Sequence, residues 1–187
     1  IDSLYEIRIH GRGGQGAQTA AQILAEAALI EGYYIQAFPE FGPERAGAPV
    51  EAFVRISPQP ILIHNNVITP DAVLVLEESL IAAVDVSAGL KEAGFIIVNS
   101  GKNKKIIEKL ISRPFNLQVF DASEIARYFL GKEIPNIILL GVYARVTGRI
   151  KMASLETVIK EKFQNRWGPE LTEKNLVAMK VAYNESS

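Results

Sequence analysis

Six consecutive residues, Gly11-Arg12-Gly13-Gly14-Gln15-Gly16, hold the most legible chemistry in this 187-residue sequence. Gly11, Gly13 and Gly16 satisfy the G-x-G-x-x-G spacing. Glycines let the backbone approach an anion, and a helix start offers free N–H groups and the positive end of a dipole. A dinucleotide site also needs an acid about 20 residues on, at the end of the second strand, for ribose hydroxyls. Gln36 holds that place, and Glu31 falls before the strand. Gly11 and Gly16 also have phosphate-loop spacing, but Ala17-Gln18 stand where Lys and Ser or Thr are required. What remains is an anion or partner contact at a helix start, assisted by Arg12. The plainer alternative is a tight turn that lets the next helix pack closely on a sheet.

A second candidate is the loop from Pro39 to Pro49, which contains Phe41, Gly42, Pro43, Glu44 and Arg45. Its prolines restrict the unfolded chain, so it can hold one shape. In a parallel sheet the ends of the first two strands lie side by side. The two loops are therefore expected to meet at the carboxyl edge, where α/β folds place ligands. The alternative is a rigid crossover with a local Glu44–Arg45 pair. His10 and His64 are the only histidines and have no metal-ligand spacing. No G-x-S-x-G elbow, H-E-x-x-H or paired-carboxylate pattern appears. Asn65-Asn66, Asp71, Glu77, Glu78 and Asp85 read as caps and solvated charges. With no cysteine, the chain has no disulfide, no thiolate zinc site and no cysteine-ligated iron–sulfur cluster.

The elements that must position these loops follow from periodicity. Leu4 to His10 reads as a strand, and Gln15 to Glu31 as a helix whose Ala17, Ala20, Ala21, Leu24, Ala27 and Ala28 form a small-residue face. Tyr33 to Phe38 completes a βαβ unit. Glu51 to Ser57 alternates as a strand, and Ile61 to Ile63 reads as a short one. Ala72 to Leu76 and Phe95 to Val98 are continuous apolar runs, the mark of strands buried on both faces. Glu77 to Val84 and Lys102 to Ile111 read as helices, Leu117 to Phe120 as a strand. Asp121 caps a helix to Leu130 with Glu124 at the capping-box position. Ile137–Thr147, Ser154–Phe163 and Pro169–Tyr183 are the last helices. The pattern predicts an α/β fold, a three-layer α/β/α sandwich with a mostly parallel, Rossmann-like sheet and extra C-terminal helices.

Lys plus Arg is 20 and Asp plus Glu 21, which argues against nucleic-acid or membrane-surface binding. No apolar run reaches transmembrane length. Residues 1–6 lack the basic start of a signal peptide, and the opening Ile1 reads as a trimmed or incomplete start. A soluble, cytoplasmic protein is expected. Its Ala-rich helix, Pro-rich loop and C-terminal helices suggest more apolar surface than one sheet needs. The residues alone describe a binding module or an enzyme subunit.

The glycine loop, followed by Thr19-Ala20-Ala21 and by Gln36 through Val50, resembles the gamma subunits of the 2-oxoacid:ferredoxin oxidoreductases, those of pyruvate synthase above all. Asn99-Ser100, Gly141 to Thr147 and Glu173-Lys174-Asn175 fit the same pattern. Ala46 departs from it, since a second Arg is expected there. The resemblance covers nearly the whole chain. It implies one gamma domain over residues 1–187, with 135–187 a helical part packed on it. It implies alpha, beta and delta partner subunits, ferredoxin as electron acceptor, and conversion of pyruvate and coenzyme A (CoA) to acetyl-CoA and CO2. Thiamine diphosphate, Mg2+ and [4Fe-4S] clusters are then carried by other subunits. This chain contributes assembly and a share of the CoA site. Gly11 to Gly16 and Arg45 would touch CoA or a partner, and Phe41 to Glu44 would border the active site. A branched-chain 2-oxoacid enzyme is the sister alternative. An NAD(P)-dependent oxidoreductase and a non-catalytic scaffold are the alternatives of other classes.

Overall fold

The computed structural model describes residues 1–40, 47–111 and 116–186. Six strands form one sheet: β1 (Tyr5–Arg12), β2 (Tyr34–Pro39), β3 (Pro49–Ser57), β4 (Ala72–Val75), β5 (Phe95–Asn99) and β6 (Asn116–Phe120). Their order is β2-β3-β1-β4-β5-β6. β1, β4, β5 and β6 run parallel, whereas β3 pairs antiparallel with both β1 and β2. The sheet is thus mostly parallel, as expected, with one antiparallel strand inserted.

That insertion corrects the expected side-by-side placement of the first two strands. β2 and β3 form a hairpin, and β3 takes the position beside β1. Alternation explains why β3 fits there: Ala52, Val54 and Ile56 join the apolar face of the sheet beside Ile7 and Ile9. The proposed strand at Ile61–Ile63 is absent. Pro58 and Pro60 remove backbone donors from its approach. The helix expected from Glu77 shrinks to α2 (Leu80–Ala83), because Glu77 and Ser79 turn toward the glycine loop.

Helices α1 (Ala17–Ile30), α4 (Ala122–Leu130), α5 (Asn136–Thr147), α6 (Met152–Trp167) and α7 (Pro169–Glu185) share the main core with one face of the sheet. α2 and α3 (Lys104–Leu110) belong to the other face, where Val73, Val75, Ile96, Val98 and Ile107 form a smaller core. The Ala-rich stripe of α1 is buried and offers no docking surface, which corrects one expected source of exposed apolar area. α5 is buried on all sides from Asn136 to Ala144. It can lie against α7 only because Gly141 has no side chain: a Cβ there would overlap the carbonyl oxygen and side chain of Met179. Among the described residues no helix is long and apolar enough to cross a membrane.

Gly141→Val is accordingly expected to overpack this contact. The cost should be roughly 1–3 kcal/mol, measured as a lower denaturant midpoint with an unchanged slope.

Candidate functional site

The parallel strands end together at one edge, and the chain's polar loops gather there. β1 continues into α1 on the first face of the sheet, while β4 continues into α2 on the second. Such a divergence opens a crevice between two strand ends. Gly11 floors it. A Cβ on Gly11 would stand 3.3 Å from Leu76 Cδ1 and 3.4 Å from the Ala17 side chain. Gly14 and Gly16 have φ of +96° and +79°, the left-handed region that favours glycine. Gly16 is constrained twice, because a Cβ there would also overlap the Asn136 amide nitrogen.

Four clasps fix the loop. Gln15 Oε1 accepts from the Arg12 backbone N–H at 2.7 Å, and Gln15 Nε2 donates to Glu77 Oε2 at 3.1 Å. Arg12 Nη1 donates to the Gly47 carbonyl at 3.0 Å, and Nη2 to Ser79 Oγ at 2.8 Å. Gly13 N–H donates to the Ala48 carbonyl at 2.9 Å. Asn136 Nδ2 donates to the Gly16 carbonyl at 3.1 Å. The glycine loop and the start of β3 therefore do meet, through the hairpin rather than through neighbouring parallel strands. α1 begins on Gly16 with no side-chain cap and no acid in its first turn. Among the described residues its first-turn N–H groups meet no acceptor.

Around the edge, Glu78 accepts from Ser100 Oγ and pairs with Lys102. Burial raises its carboxyl, but these partners outweigh burial and hold it below its ordinary value. Asn99 Nδ2 donates to the Leu76 carbonyl and to Ser123 Oγ, each at 2.9 Å. Glu77, Glu78 and Asn65 are thus structural partners rather than idle surface charges, and Asp71 accepts from the Glu6 backbone N–H and from Lys91. Phe41, Gly42, Pro43, Glu44 and Arg45 lie outside the described residues. Glu77 was discoverable from sequence, since it directly follows a strand buried on both faces. Asn136 was not, because it reaches Gly16 across 120 positions.

Beside the crevice, the second face of β1 and β3 buries charge. Arg8 Nε donates to His10 Nε2 at 3.0 Å, so the ring carries its proton on Nδ1, 3.3 Å from Glu51 Oε1. Arg8 Nη2 reaches the Val86 and Ala88 carbonyls at 3.1 and 2.7 Å. Burial first, and the Arg8 charge second, lower His10 to about 3. Burial raises Glu51. His10 is neutral at physiological pH and fully occupied, which suits structure rather than proton transfer. Among the described residues no group of three His, Cys, Asp or Glu side chains is placed to hold a metal. Gln36, the residue at the ribose position of a dinucleotide site, accepts from Arg55 and donates to the Ile61 carbonyl. With β3 between β2 and β1, that position is removed from the glycine loop.

Fold and site together define an open α/β module whose crevice offers backbone donors and clasped polar side chains. Residues 6–185 match the family model for pyruvate ferredoxin/flavodoxin oxidoreductase, and the chain belongs to that family. The common gamma subunit of the pyruvate/ketoisovalerate oxidoreductases from Pyrococcus furiosus is 51% identical over 98% of this chain and 97% of its own. Pyruvate synthase subunit PorC from Methanothermobacter marburgensis is 46% identical over 97% of each chain. The crystal structure of the pyruvate oxidoreductase subunit PORC from Thermotoga maritima superposes with a TM-score of 0.84. That chain is 39% identical, and the match covers 98% of this chain and 97% of the other.

His10 makes stability depend on pH in a defined direction. Below its ordinary value of 6.5 the unfolded chain binds a proton that the folded ring refuses until about pH 3. Stability is therefore lost as pH falls through this interval. Glu51, raised by burial above its ordinary 4.5, works in the opposite sense, so the clean window is the upper part of the interval, just below 6.5. His10→Gln should flatten the pH dependence of the urea midpoint in that window.

Proposed function

We propose that this chain is a gamma subunit shared by pyruvate and branched-chain 2-oxoacid:ferredoxin oxidoreductase complexes. Its partners are the alpha, beta and delta chains. The complex converts pyruvate, CoA and oxidised ferredoxin to acetyl-CoA, CO2 and reduced ferredoxin in the cytoplasm. Identity of about half across nearly the full length of a common gamma subunit supports this reading. A shared subunit suits a chain without substrate-selecting chemistry, because the 2-oxoacid contacts then belong to the other chains. Thiamine diphosphate, Mg2+ and [4Fe-4S] clusters are assigned to those chains too. No cysteine is available here to ligate a cluster.

Within the complex, the crevice receives the phosphates of CoA. The observation that carries this is the uncapped start of α1 beside Gly13 and Gly14 at the carboxyl edge. Bare N–H groups at a helix start accept a phosphate without a cation or a catalytic group. Arg12 holds the loop open to that phosphate and can add a charge-assisted contact from the same guanidinium. Arg45 and the Phe41–Glu44 segment border the site in this proposal. A second reading has its own support: both Arg12 terminal nitrogens are engaged by Gly47 and Ser79, as suits a purely structural clasp.

The isolated chain should be colourless and should not turn over pyruvate. Visible absorbance that follows iron content, or turnover by the purified chain alone, overturns the assignment of redox chemistry to the partners. In the assembled complex, Arg12→Ala should raise the KM for CoA about ten- to a hundredfold and leave the KM for pyruvate and subunit retention unchanged. Loss of the complex, or reduced kcat at unchanged CoA affinity, makes Arg12 a clasp only.

A further inference from the structure

α5 opens with a single polar side chain among apolar ones. Asn136 is 5% exposed, and Ile137, Ile138, Leu139 and Leu140 after it are all buried. An apolar residue would complete that surface, and enclosing a primary amide is unfavourable unless its hydrogen bonds to water are replaced. The replacement lies 120 positions away: Asn136 Nδ2 donates to the Gly16 carbonyl at 3.1 Å. The same carbonyl accepts from the Ala20 N–H at 2.9 Å, the first rung of α1. Both lone pairs of this oxygen are engaged, one by the helix it opens and one by α5.

The second of these bonds acts on direction. The Gly16 carbonyl and the Ala17 N–H belong to one planar trans peptide and point opposite ways, so whatever fixes the oxygen also aims the amide. That amide is the first of α1 and meets no acceptor among the described residues. The Arg12 and Gln15 clasps hold the loop before this peptide, and Asn136 holds the peptide itself. Asn136 has a firm seat, because α5 is buried on all sides to Ala144 and Gly141 brings it against Met179 of α7. Nor is its amide fully spent. Among the described residues nothing donates to its Oδ1, and that oxygen is not one of the enclosed atoms without a partner. A ligand that carries a hydroxyl or amide N–H next to a phosphate, as CoA does, finds an acceptor beside the free backbone donor.

We propose that Asn136 is a positioning residue for CoA: by holding the Gly16 carbonyl it aims the Ala17 N–H at the phosphate, so that the C-terminal helices set the affinity of a loop near the start of the chain. The inference rests on the CoA reading of the crevice and adds to it a residue outside the glycine motif. The rival role is a staple that only keeps α5 on α1. The two roles differ in their consequences. A staple serves every substrate of the complex alike, whereas an aimed amide serves CoA alone.

The test uses the complete complex, assembled by co-expression of the tagged chain with its thiamine- and cluster-bearing partners, and carrying Asn136→Ala. The Gly16 carbonyl keeps the Ala20 N–H in this variant, so the isolated chain should melt near the wild-type temperature. Should it not, Asn136→Leu, which keeps the volume without the donor, replaces it. The KM for CoA should rise about tenfold or more, with kcat at saturating CoA and the KM for pyruvate unchanged. An unchanged KM for CoA overturns the proposal. So does a matching rise in the KM for pyruvate, a fall in kcat, or a lowered melting temperature in both variants, each of which marks a staple. Pantetheine, the thiol arm of CoA without its phosphates, checks the underlying reading separately. If the wild-type complex uses pantetheine with the same kcat/KM as CoA, the phosphate crevice itself is overturned, whatever Asn136 does.

Discussion

Arg55 is 1% exposed and must still satisfy a charged guanidinium. Its Nε donates to Glu6 Oε1 of β1 at 2.8 Å, Nη1 to Gln36 Oε1 of β2 at 3.3 Å, and Nη2 to Asn65 Oδ1, in the irregular chain that follows β3, at 3.0 Å. Its Cζ stands over the Phe38 ring, 5.4 Å from the centroid. Removing one partner of a buried ion pair costs roughly 3–5 kcal/mol. One side chain therefore ties β1, β2, β3 and the segment of residues 58–70 together. The antiparallel insertion sets this charge beside the buried Arg8 and His10 and under the irregular chain of residues 58–70. A helix with an apolar face would have left it unsatisfied.

The crevice depends on the same arrangement at one remove. β3 begins beside the end of β1, which brings Gly47 and Ala48 against Gly13 and gives Arg12 a carbonyl to hold. From the other side, β4 brings Glu77 and Ser79. α5, carried from the C-terminal part of the chain, presents Asn136 to Gly16. Among the described residues the loop is thus shaped by three chain segments besides its own, while the first-turn amides of α1 meet no cap. Rigid backbone with unused donors suits recognition of an anion better than bond chemistry.

Much of this was legible locally. The glycine loop, α1 and its small-residue face, the doubly buried β4 and β5, and the capping box of α4 each follow from a short window, because glycine freedom, helical spacing and side-chain alternation act over a few residues. Asp121 does accept from the Glu124 backbone N–H at 2.8 Å. What was misread is equally specific. The strand at Ile61–Ile63 had the right residue types, but its Ile61 carbonyl accepts from the Gln36 side chain rather than from another ladder. Glu77 and Glu78 looked like solvated charges because their partners, Gln15, Ser100 and Lys102, come from other loops.

The sequence by itself determined most of the element types, the glycine loop as the segment to watch, a composition with no cysteine and, through two loop motifs, the family. All of these are set by the identity and near spacing of residues. Only the tertiary structure decided that β3 stands between β2 and β1, that Arg55 and Glu6 are buried together, and that Asn136 shapes Gly16. It also decided that the charge-free stretch before β4 lies against Gln36 of β2 and Arg55 of β3. The reason is that strand order and long-range pairing minimise the energy of the whole chain at once. A buried charge is tolerable only where several distant segments converge on it, and no local window contains that convergence.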